Sequence, residues 1–311
     1  MKAKFNLLLS LGTSLIAITY SHAGQIWDGG GGDNNWNTAA NWDGDALPNF
    51  GAAINFNGNV RNAAANDLTA DTIIGGINFT NTGEAGLTNA FTLSGNRITL
   101  GGNITTTANT AGSTITDTIS HAMILDGNRT ITTNQLSPTV QHNLTIGGII
   151  SGTGFGFTKE GAATLTLNAV NTYTGATFVN AGILTFSTAG RLNTTSAISI
   201  ASGATVNMTA QNQIAQTNTT TLAVNGALNM TAAGSALALG GTNLTNISMN
   251  NGTLSATVAN TSNFGAFWIN NSRTITATGT NTISGTGVLG IAQNRVLTLS
   301  PTGANDVINV T

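Results

Sequence analysis

Short runs of alternating apolar and polar residues recur along the chain from about residue 50 onward. In a β-strand successive side chains point to opposite faces, so such a run predicts a strand with one row of side chains in a core and the other outside. Gly and Asn, which suit tight turns, separate the runs. The pattern therefore predicts an all-β protein of many short strands. Clear examples lie at 54–56, 77–79, 91–93, 98–100, 165–167, 184–186 and 297–299.

Near-copies along the chain favour a coil over a sandwich, a barrel or a propeller. Residues 150–154 read Ile-Ser-Gly-Thr-Gly and recur at 283–287, and a Leu-Thr-Leu run follows each copy about fifteen residues later. Imperfect repetition of this kind is typical of a solenoid in which each turn stacks on the previous one. We therefore expect a right-handed parallel β-helix over residues 61–311, with aliphatic rows inside and ladders of Thr and Asn outside. At roughly 20 to 25 residues a turn, it would make about ten to twelve turns.

The first residues have the form of a targeting segment. Basic Lys2 and Lys4 precede an apolar run, and small residues lead to Ala23. This order predicts a Sec-type signal peptide at 1–23, cut after Ala23. We therefore expect an exported protein, located extracellularly, at the cell surface or in association with an outer membrane. No later apolar run is long enough to cross a bilayer as a helix, so no transmembrane segment is expected in the mature chain.

Residues 24–60 form a segment rich in Trp and Gly that holds three of the four tryptophans, Trp27, Trp36 and Trp42. The end of a β-helix has unpaired strand edges and an open core, which bulky aromatic side chains can cover. We therefore expect a Trp-rich N-terminal cap at 24–60. The same tryptophans could instead stack on sugar rings, which makes them candidate carbohydrate-binding residues.

Composition narrows the choice of function. Charged residues make up only 6% of the chain, against about 25% in ordinary globular proteins, while the hydrophobic share is 40%, which argues against disorder. The formal net charge of −2 offers no basic surface, so no nucleic-acid partner is expected. Without cysteine the chain has no disulfide, thiolate nucleophile or thiolate metal site. No cofactor is predicted.

The most informative stretch covers about 148–187. It contains, in order, Ile-Ser-Gly at 150–152, Thr-Lys-Glu-Gly at 158–161, Leu-Thr-Leu at 165–167, Asn-Thr-Tyr-Thr-Gly at 171–175 and Gly-Ile-Leu at 182–184. This order resembles the autotransporter-associated β-strand repeat. The resemblance implies a β-helical passenger of a secreted or surface protein from bacteria with an outer membrane. Within this stretch, Lys159–Gly161 is interpreted as a polar turn, and 171–175 as a corner where Asn bonds the backbone and Tyr covers the edge of a turn.

The chain departs from the full autotransporter pattern because no C-terminal translocator barrel follows the repeat. A fragment, a short paralogue or another export route would each account for this. The run at 307–310 is strand-like and has no evident polar cap, so we expect that uncapped ends could associate end to end with another copy.

Candidate catalytic residues are few, and we predict none. Asp28, Asp33, Asp43 and Asp45 lie near the glycine run 29–32, but the pattern occurs once and favours turn formation over a calcium site. His121 and His142 are interpreted as isolated side chains, and arginines that precede strands as solvated rims. No metal site is predicted. The remaining acids are scattered mostly singly, at Asp67, Asp71, Glu84, Asp117, Asp126, Glu160 and Asp306.

The sequence thus predicts a secreted or cell-surface structural or adhesion-type passenger without catalytic activity. An extracellular polysaccharide-binding module is the second hypothesis. A polysaccharide lyase or glycosidase built on a β-helix is a third, although it would need two opposed carboxylates or a base beside a cation. Extracellular glycans or other cell-surface components are the partners expected under the first two hypotheses.

Overall fold

The computed structural model of the chain is a three-sided coil of short parallel strands. Each turn passes through one strand on a first side, one on a second side and one on a third side before it returns to the first. The structure describes residues 26–80, 90–107, 113–187, 189–210, 213–214 and 220–230, followed by the segments 237–238, 244–250, 253–256, 267–269, 273–278, 280–285, 289–291, 297–303 and 307–310. The predicted signal peptide at 1–23 lies outside the described residues.

The first side is a sheet of twelve strands. In chain order these strands are Ile26–Trp27, Ala53–Phe56, Gly76–Phe79, Ile104–Thr106, Arg129–Thr132, Phe157–Glu160, Thr177–Val179, Ala197–Ile200, Thr220–Val224, Leu244–Asn250, Arg273–Thr278 and Leu297–Pro301.

The second side is a parallel sheet of similar length, to which one antiparallel strand, Gln135–Ser137, adds a hairpin. Its parallel strands are Ala65–Asn66, Thr92–Gly95, Ile115–Ile119, Val140–Ile146, Thr164–Leu167, Ile183–Phe186, Thr205–Met208, Ala227–Met230, Thr253–Ala256, Thr280–Gly285 and Val307–Val310.

The third side consists of three shorter parallel sheets. The strands of the first are Thr72–Ile74, Ile98–Leu100, Met123–Leu125 and Ile150–Ser151, those of the second are Val170–Asn171 and Arg191–Leu192, and those of the third are Leu237–Ala238, Phe267–Ile269 and Leu289–Ile291.

Pairing between successive turns fixes their length. Ile77 pairs with Ile104 and Ile104 with Ile131, so each of these turns takes 27 residues. Phe157 pairs with Thr177, a turn of only 20 residues. Some turns are therefore longer than expected from the sequence, because excursions such as the hairpin at 135–141 leave the coil and return to it.

The core is built from rows of side chains that run along the coil axis. On the first side, equivalent inward positions of successive turns are fully buried, and most of them are aliphatic. Burial of one such side chain stabilises a fold by roughly 1.5–3 kcal/mol. The period-two pattern of the sequence is thus the inside and outside of one coil. The row runs through Ile54, Ile77, Ile104, Ile131, Lys159, Val179, Ile200 and Val224.

The aromatic cluster at the N-terminal end lies inside the first turns. Trp27, Trp36 and Trp42 have no exposed surface. The rings of Trp27 and Trp42 meet edge to face with centroids 5.2 Å apart, and the ring of Trp36 stacks on that of Phe50 at 6.4 Å. The indole N–H of Trp42 donates to the carbonyl of Trp36 at 2.7 Å. The strand at 53–56 already pairs within the first side, so the cluster closes the end of the coil from within.

The predicted all-β parallel β-helix with its aromatic N-terminal cluster is confirmed. Among the described residues the helical structure is one 3₁₀ turn, Ala39–Asn41, and none of their helices is long and apolar enough to span a membrane. The right hand of the coil stays a prediction, which rests on the general handedness of parallel connections.

Glycines at the corners between sides allow the turns to approach closely. Gly182 has a φ of +64°, and a Cβ atom there would lie 2.4 Å from the carbonyl oxygen of Gly161 in the previous turn. Gly203, near the same corner one turn later, has a φ of +82°, but a Cβ there would meet nothing within 4 Å. The two positions therefore separate the cost of the backbone conformation from the cost of a collision.

We predict that Gly182→Ala lowers the free energy of unfolding by about 3 kcal/mol or more, since it combines left-handed strain with a backbone clash. The matched control Gly203→Ala should cost only about 1 kcal/mol, because it adds strain alone. Urea denaturation followed by circular dichroism measures both. Equal losses in the two variants would contradict the close contact between turns at Gly182.

Candidate functional site

The stretch that the sequence singles out, 148–187, contains a buried lysine. Lys159 lies in the strand Phe157–Glu160 and points inward, between Ile131 of the previous turn and Val179 of the next. Its side chain has no exposed surface. The interpretation of Lys159–Gly161 as a polar turn is therefore wrong for Lys159. The strand continues through Glu160, because the alternation of inward and outward residues runs on through the charged pair.

The ammonium group of Lys159 is held by backbone carbonyls. Its Nζ atom donates to the carbonyl oxygens of Glu160 at 2.8 Å, Gly161 at 2.7 Å and Ala181 at 3.2 Å. An ammonium group has three donors, and each of them finds an acceptor here. Burial lowers the pKa of Lys159 from 10.5 to about 8, against the opposing effect of the Glu160 carboxylate. Lys159 thus ties the corners of two successive turns together.

Tyr173 also lies in the core rather than over the edge of a turn, which corrects the interpretation from sequence. Its ring packs against that of Phe157 with centroids 5.5 Å apart, and its hydroxyl lies 2.5 Å from that of Thr177. Thr195 in the next turn extends the chain of hydroxyls at 3.3 Å and donates to the carbonyl of Gly175 at 2.7 Å. Burial raises the pKa of Tyr173.

Asn171 bonds the backbone of its corner, as the sequence predicts. Its Oδ1 atom accepts from the N–H of Ile150 in the previous turn at 2.9 Å. Its Nδ2 atom donates to the carbonyls of Ala169 at 3.1 Å and of Arg191, in the next turn, at 3.3 Å. One buried amide therefore joins three successive turns on the third side.

Asp117 and His142 form a buried pair across two neighbouring turns. Oδ2 of Asp117 lies 2.5 Å from Nε2 of His142, and neither side chain is exposed. Oδ1 of Asp117 accepts from the N–H of Phe91 at 2.7 Å, and Nδ1 of His142 lies 2.6 Å from the carbonyl oxygen of Thr107. Since a carbonyl only accepts, Nδ1 carries a proton and one further proton lies between Nε2 and the carboxylate.

The interpretation of His142 as isolated is therefore wrong. Asp117 and His142 are 25 residues apart in the sequence, and the register of the second side brings them together. Every polar atom of the pair is directed at another group of the protein, and both side chains lie inside the coil. The pair is placed to stabilise the core, since a substrate in solvent has no direct contact with it.

The candidate carbohydrate-binding residues Trp27, Trp36 and Trp42 lie in the core, as described above. None of them presents an exposed ring face on which a sugar could stack. His121 is buried beside them, with its ring edge-on to that of Trp36 at 5.9 Å. Burial lowers the pKa of His121 from 6.5 to about 4, so its imidazole is neutral near pH 7. Glycan binding by the tryptophans stays a prediction, and the geometry supports their capping role.

The acidic residues near the glycine run organise their own loop. Oδ1 of Asp28 accepts from the N–H of Gly30 at 2.9 Å. Asp33 accepts from the N–H of Asn35 at 3.0 Å and from the hydroxyl of Thr38 at 2.9 Å, and these hydrogen bonds lower the pKa of Asp33. Among the described residues no group of three His, Cys, Asp or Glu side chains is gathered as metal ligands. The loop thus fits the turn-forming role of these acids.

Two of the arginines that precede strands are paired with carboxylates. Arg97 binds Asp71 of the previous turn through two hydrogen bonds, at 2.5 and 2.7 Å, with both side chains about half exposed. Arg129 pairs with Asp126 and donates to the carbonyl of Leu100 at 3.0 Å. These guanidinium groups fasten neighbouring turns rather than remaining fully solvated.

Two other acids serve nearby amides. Asp67 accepts from the N–H of Asn37 at 2.8 Å, and Glu160 from the side-chain amide of Asn180 at 2.7 Å. Glu84 and Asp306 lie outside the described residues. Two carboxylates facing each other across a groove are not found in the described part of the chain, where the acids serve turns, ion pairs and the core.

The sequence held a signal for the buried lysine and aspartate. Lys159 follows Phe157 by two positions, and Asp117 lies midway between Ile115 and Ile119, so strict alternation places both inside. Charge favoured an interpretation as turn or surface residues, because buried Lys and Asp are rare unless they are paired. Their partners are backbone groups and a histidine of other turns, which only the register reveals.

We predict that Asp117→Asn leaves the free energy of unfolding within about 1 kcal/mol of the wild type. An amide can accept from Phe91 N–H with its oxygen and donate to Nε2 of a neutral His142 with its nitrogen. Asp117→Ala should cost about 3–5 kcal/mol, because it leaves a buried histidine and a buried N–H without partners. Urea denaturation at neutral pH compares the two. A loss in Asp117→Asn as large as that in Asp117→Ala would show that the core requires the carboxylate charge.

The lowered pKa of Lys159 predicts an unusual dependence of stability on pH. Between pH 8 and 10.5 the unfolded chain holds more protons at this residue than the folded one, so the stability of the fold should rise with pH over this window. The gain should be at most about 3 kcal/mol. Lys159→Met should abolish this rise. Tyr173 opposes it at higher pH in both proteins, so the difference between wild type and variant isolates the lysine; parallel curves would contradict its protonation in the core.

Comparison with known proteins places the buried lysine within a described repeat. Residues 157–186 match the family described as the passenger-associated-transport-repeat. No curated protein and no solved structure matches the chain. The match lies inside the predicted stretch 148–187 and spans two successive strands on each of the first and second sides. The chain therefore carries an autotransporter-associated repeat at residues 157–186, built into a parallel β-helix.

Proposed function

We propose that this chain is an exported structural or adhesion-type passenger at the bacterial cell surface and that it carries out no turnover chemistry. The observation that carries the proposal is the repeat at 157–186, which is of the passenger-associated kind and is continuous with the coil on both sides. Such a coil gains its stability from stacked strands along its whole length, so it suits a protein that must stay extended outside the cell.

The positions of the ionisable groups support the noncatalytic part of the proposal. Lys159, Asp117 and His142 are the charged or titratable residues most deeply placed in the coil, and each is engaged by other groups of the protein. Acid and base catalysis on a polysaccharide requires groups that reach the polymer. The exposed acids Asp71 and Asp126 are each paired with an arginine.

The test is to express the whole chain in a bacterium with an outer membrane, fractionate the culture and sequence the N-terminus of the product. We expect a processed chain beginning at Gly24 in the outer-membrane or extracellular fraction. A deletion of residues 2–23 serves as the control and should remain in the cytoplasm. An unprocessed cytoplasmic wild-type chain would contradict export.

Catalysis is tested on the purified chain with neutral and acidic polysaccharides. We expect no shortening of any polymer. Depolymerisation that is lost in Asp67→Asn or in Asp71→Asn would overturn the noncatalytic proposal in favour of a lyase or glycosidase. The structural role also predicts a rod about 50 Å long, since twelve strands stack along the axis at about 4.8 Å each, and small-angle scattering measures this length.

A further inference from the structure

The second side of the coil carries a continuous outward row of uncharged hydrogen-bonding side chains. Register places one threonine or asparagine above another from Thr92, through Thr118, Thr145, Thr166 and Thr185, to Asn229. We call this row the hydroxyl row. The backbone register continues it to Ser255 and Ser284.

The hydroxyls in the middle of this row are free. Among the described residues, those of Thr118, Thr145, Thr166 and Thr185 form no hydrogen bond with the protein, although their side chains are part-exposed. Other threonines of the coil behave differently. Thr106, for example, is buried, donates to the carbonyl of His142 at 2.8 Å and accepts from Asn134.

A second row of similar chemistry runs beside the first, two positions earlier on each strand. It contains Thr116, Asn143, Thr164 and Thr205 and is interrupted by Ile183. The spacing is about 4.8 Å between turns and about 6.8 Å between the rows. Together the two rows form a flat lattice of polar groups in which no described outward residue is charged.

The first side of the same turns has no such lattice. Its outward positions include the charged Glu160 and the large apolar Phe178, which is 45% exposed and lies in register between Thr158 and Ser199. Strand propensity alone would favour threonine equally on both sides. The regular array is thus a property of the second side, and the first side provides an internal control.

We propose that the hydroxyl row and its neighbour bind the surface of an insoluble, uncharged polysaccharide. Each threonine hydroxyl can donate and accept, as a sugar hydroxyl does, and its methyl group can meet the C–H groups of a sugar ring. The absence of charge from the lattice matches a neutral polymer rather than an anionic one. This site differs from the buried tryptophans and does not rest on the proposed export.

The ordered state of the ligand follows from the weakness of each contact. One free hydroxyl bonded to a sugar changes the affinity by roughly two- to tenfold. A rigid row of many such groups gains most from a ligand that is already ordered, because a flexible soluble chain would lose conformational freedom on every turn. The lattice therefore favours a solid polysaccharide surface over a short soluble oligosaccharide.

The experiment measures depletion of the purified full-length chain by microcrystalline cellulose and by chitin powder. The triple variant Thr145→Val, Thr166→Val and Thr185→Val removes three hydroxyls and keeps β-branched side chains of similar shape. We expect the wild type to bind at least one of the two solids and the triple variant to bind at least tenfold more weakly. Binding should change less than about twofold between low and high salt, since no charges take part.

The matched control is Thr105→Val, Thr130→Val and Thr158→Val on the first side, which should bind within about twofold of the wild type. Circular dichroism and thermal melting confirm that both triple variants keep the fold. No depletion of the wild type by either solid would overturn the proposal, as would equal losses in the two triple variants or an unchanged affinity of the second-side variant. Binding to ice crystals without retention on either polysaccharide would also overturn it.

Discussion

The structure depends on one constraint, which is that each residue of a turn lies about 4.8 Å from its counterpart in the turn above. Parallel hydrogen bonding between strands imposes this spacing over the length of the first and second sides. A side chain is therefore surrounded mainly by equivalents of itself. Like aliphatic groups pack well at this distance, which explains the inward row from Ile54 to Val224.

The same spacing accounts for the scarcity of charge. Two like charges about 4.8 Å apart repel by about 1 kcal/mol even in water, and a stacked column would repeat that cost at every turn. Hydroxyl and amide groups can stack without this repulsion. Where charge does occur between turns it is paired with the opposite sign, as in Arg97 with Asp71. Inside the coil the charge of Lys159 is met by carbonyl dipoles, and Asp117 shares a proton with His142.

The sequence predicts the general architecture because the inside and the outside of a strand are written in its alternation. It predicted the strand runs, the parallel coil, the aromatic N-terminal cluster and the stretch that contains the repeat. It could not join Asp117 to His142, because the length of the intervening turn varies from 20 to 29 residues along the coil and depends on excursions such as the hairpin at 135–141. It also mistook Lys159 for a turn residue, since a lysine is rarely buried without a partner visible in its own segment.

The distribution of hydrogen bonds divides the molecule into two parts with different roles. Polar side chains that face inward or lie at corners, such as Asn171 and Thr195, spend their donors and acceptors on neighbouring turns and so determine how the coil closes. Outward threonines of the second side, such as Thr145 and Thr166, make no such bonds among the described residues. Their exchange for valine would therefore alter little of what holds the turns together. A side chain that contributes little to the fold is free to be selected for what it meets outside it, and a coil that keeps many of them in register presents a surface whose recognition can change while its core does not.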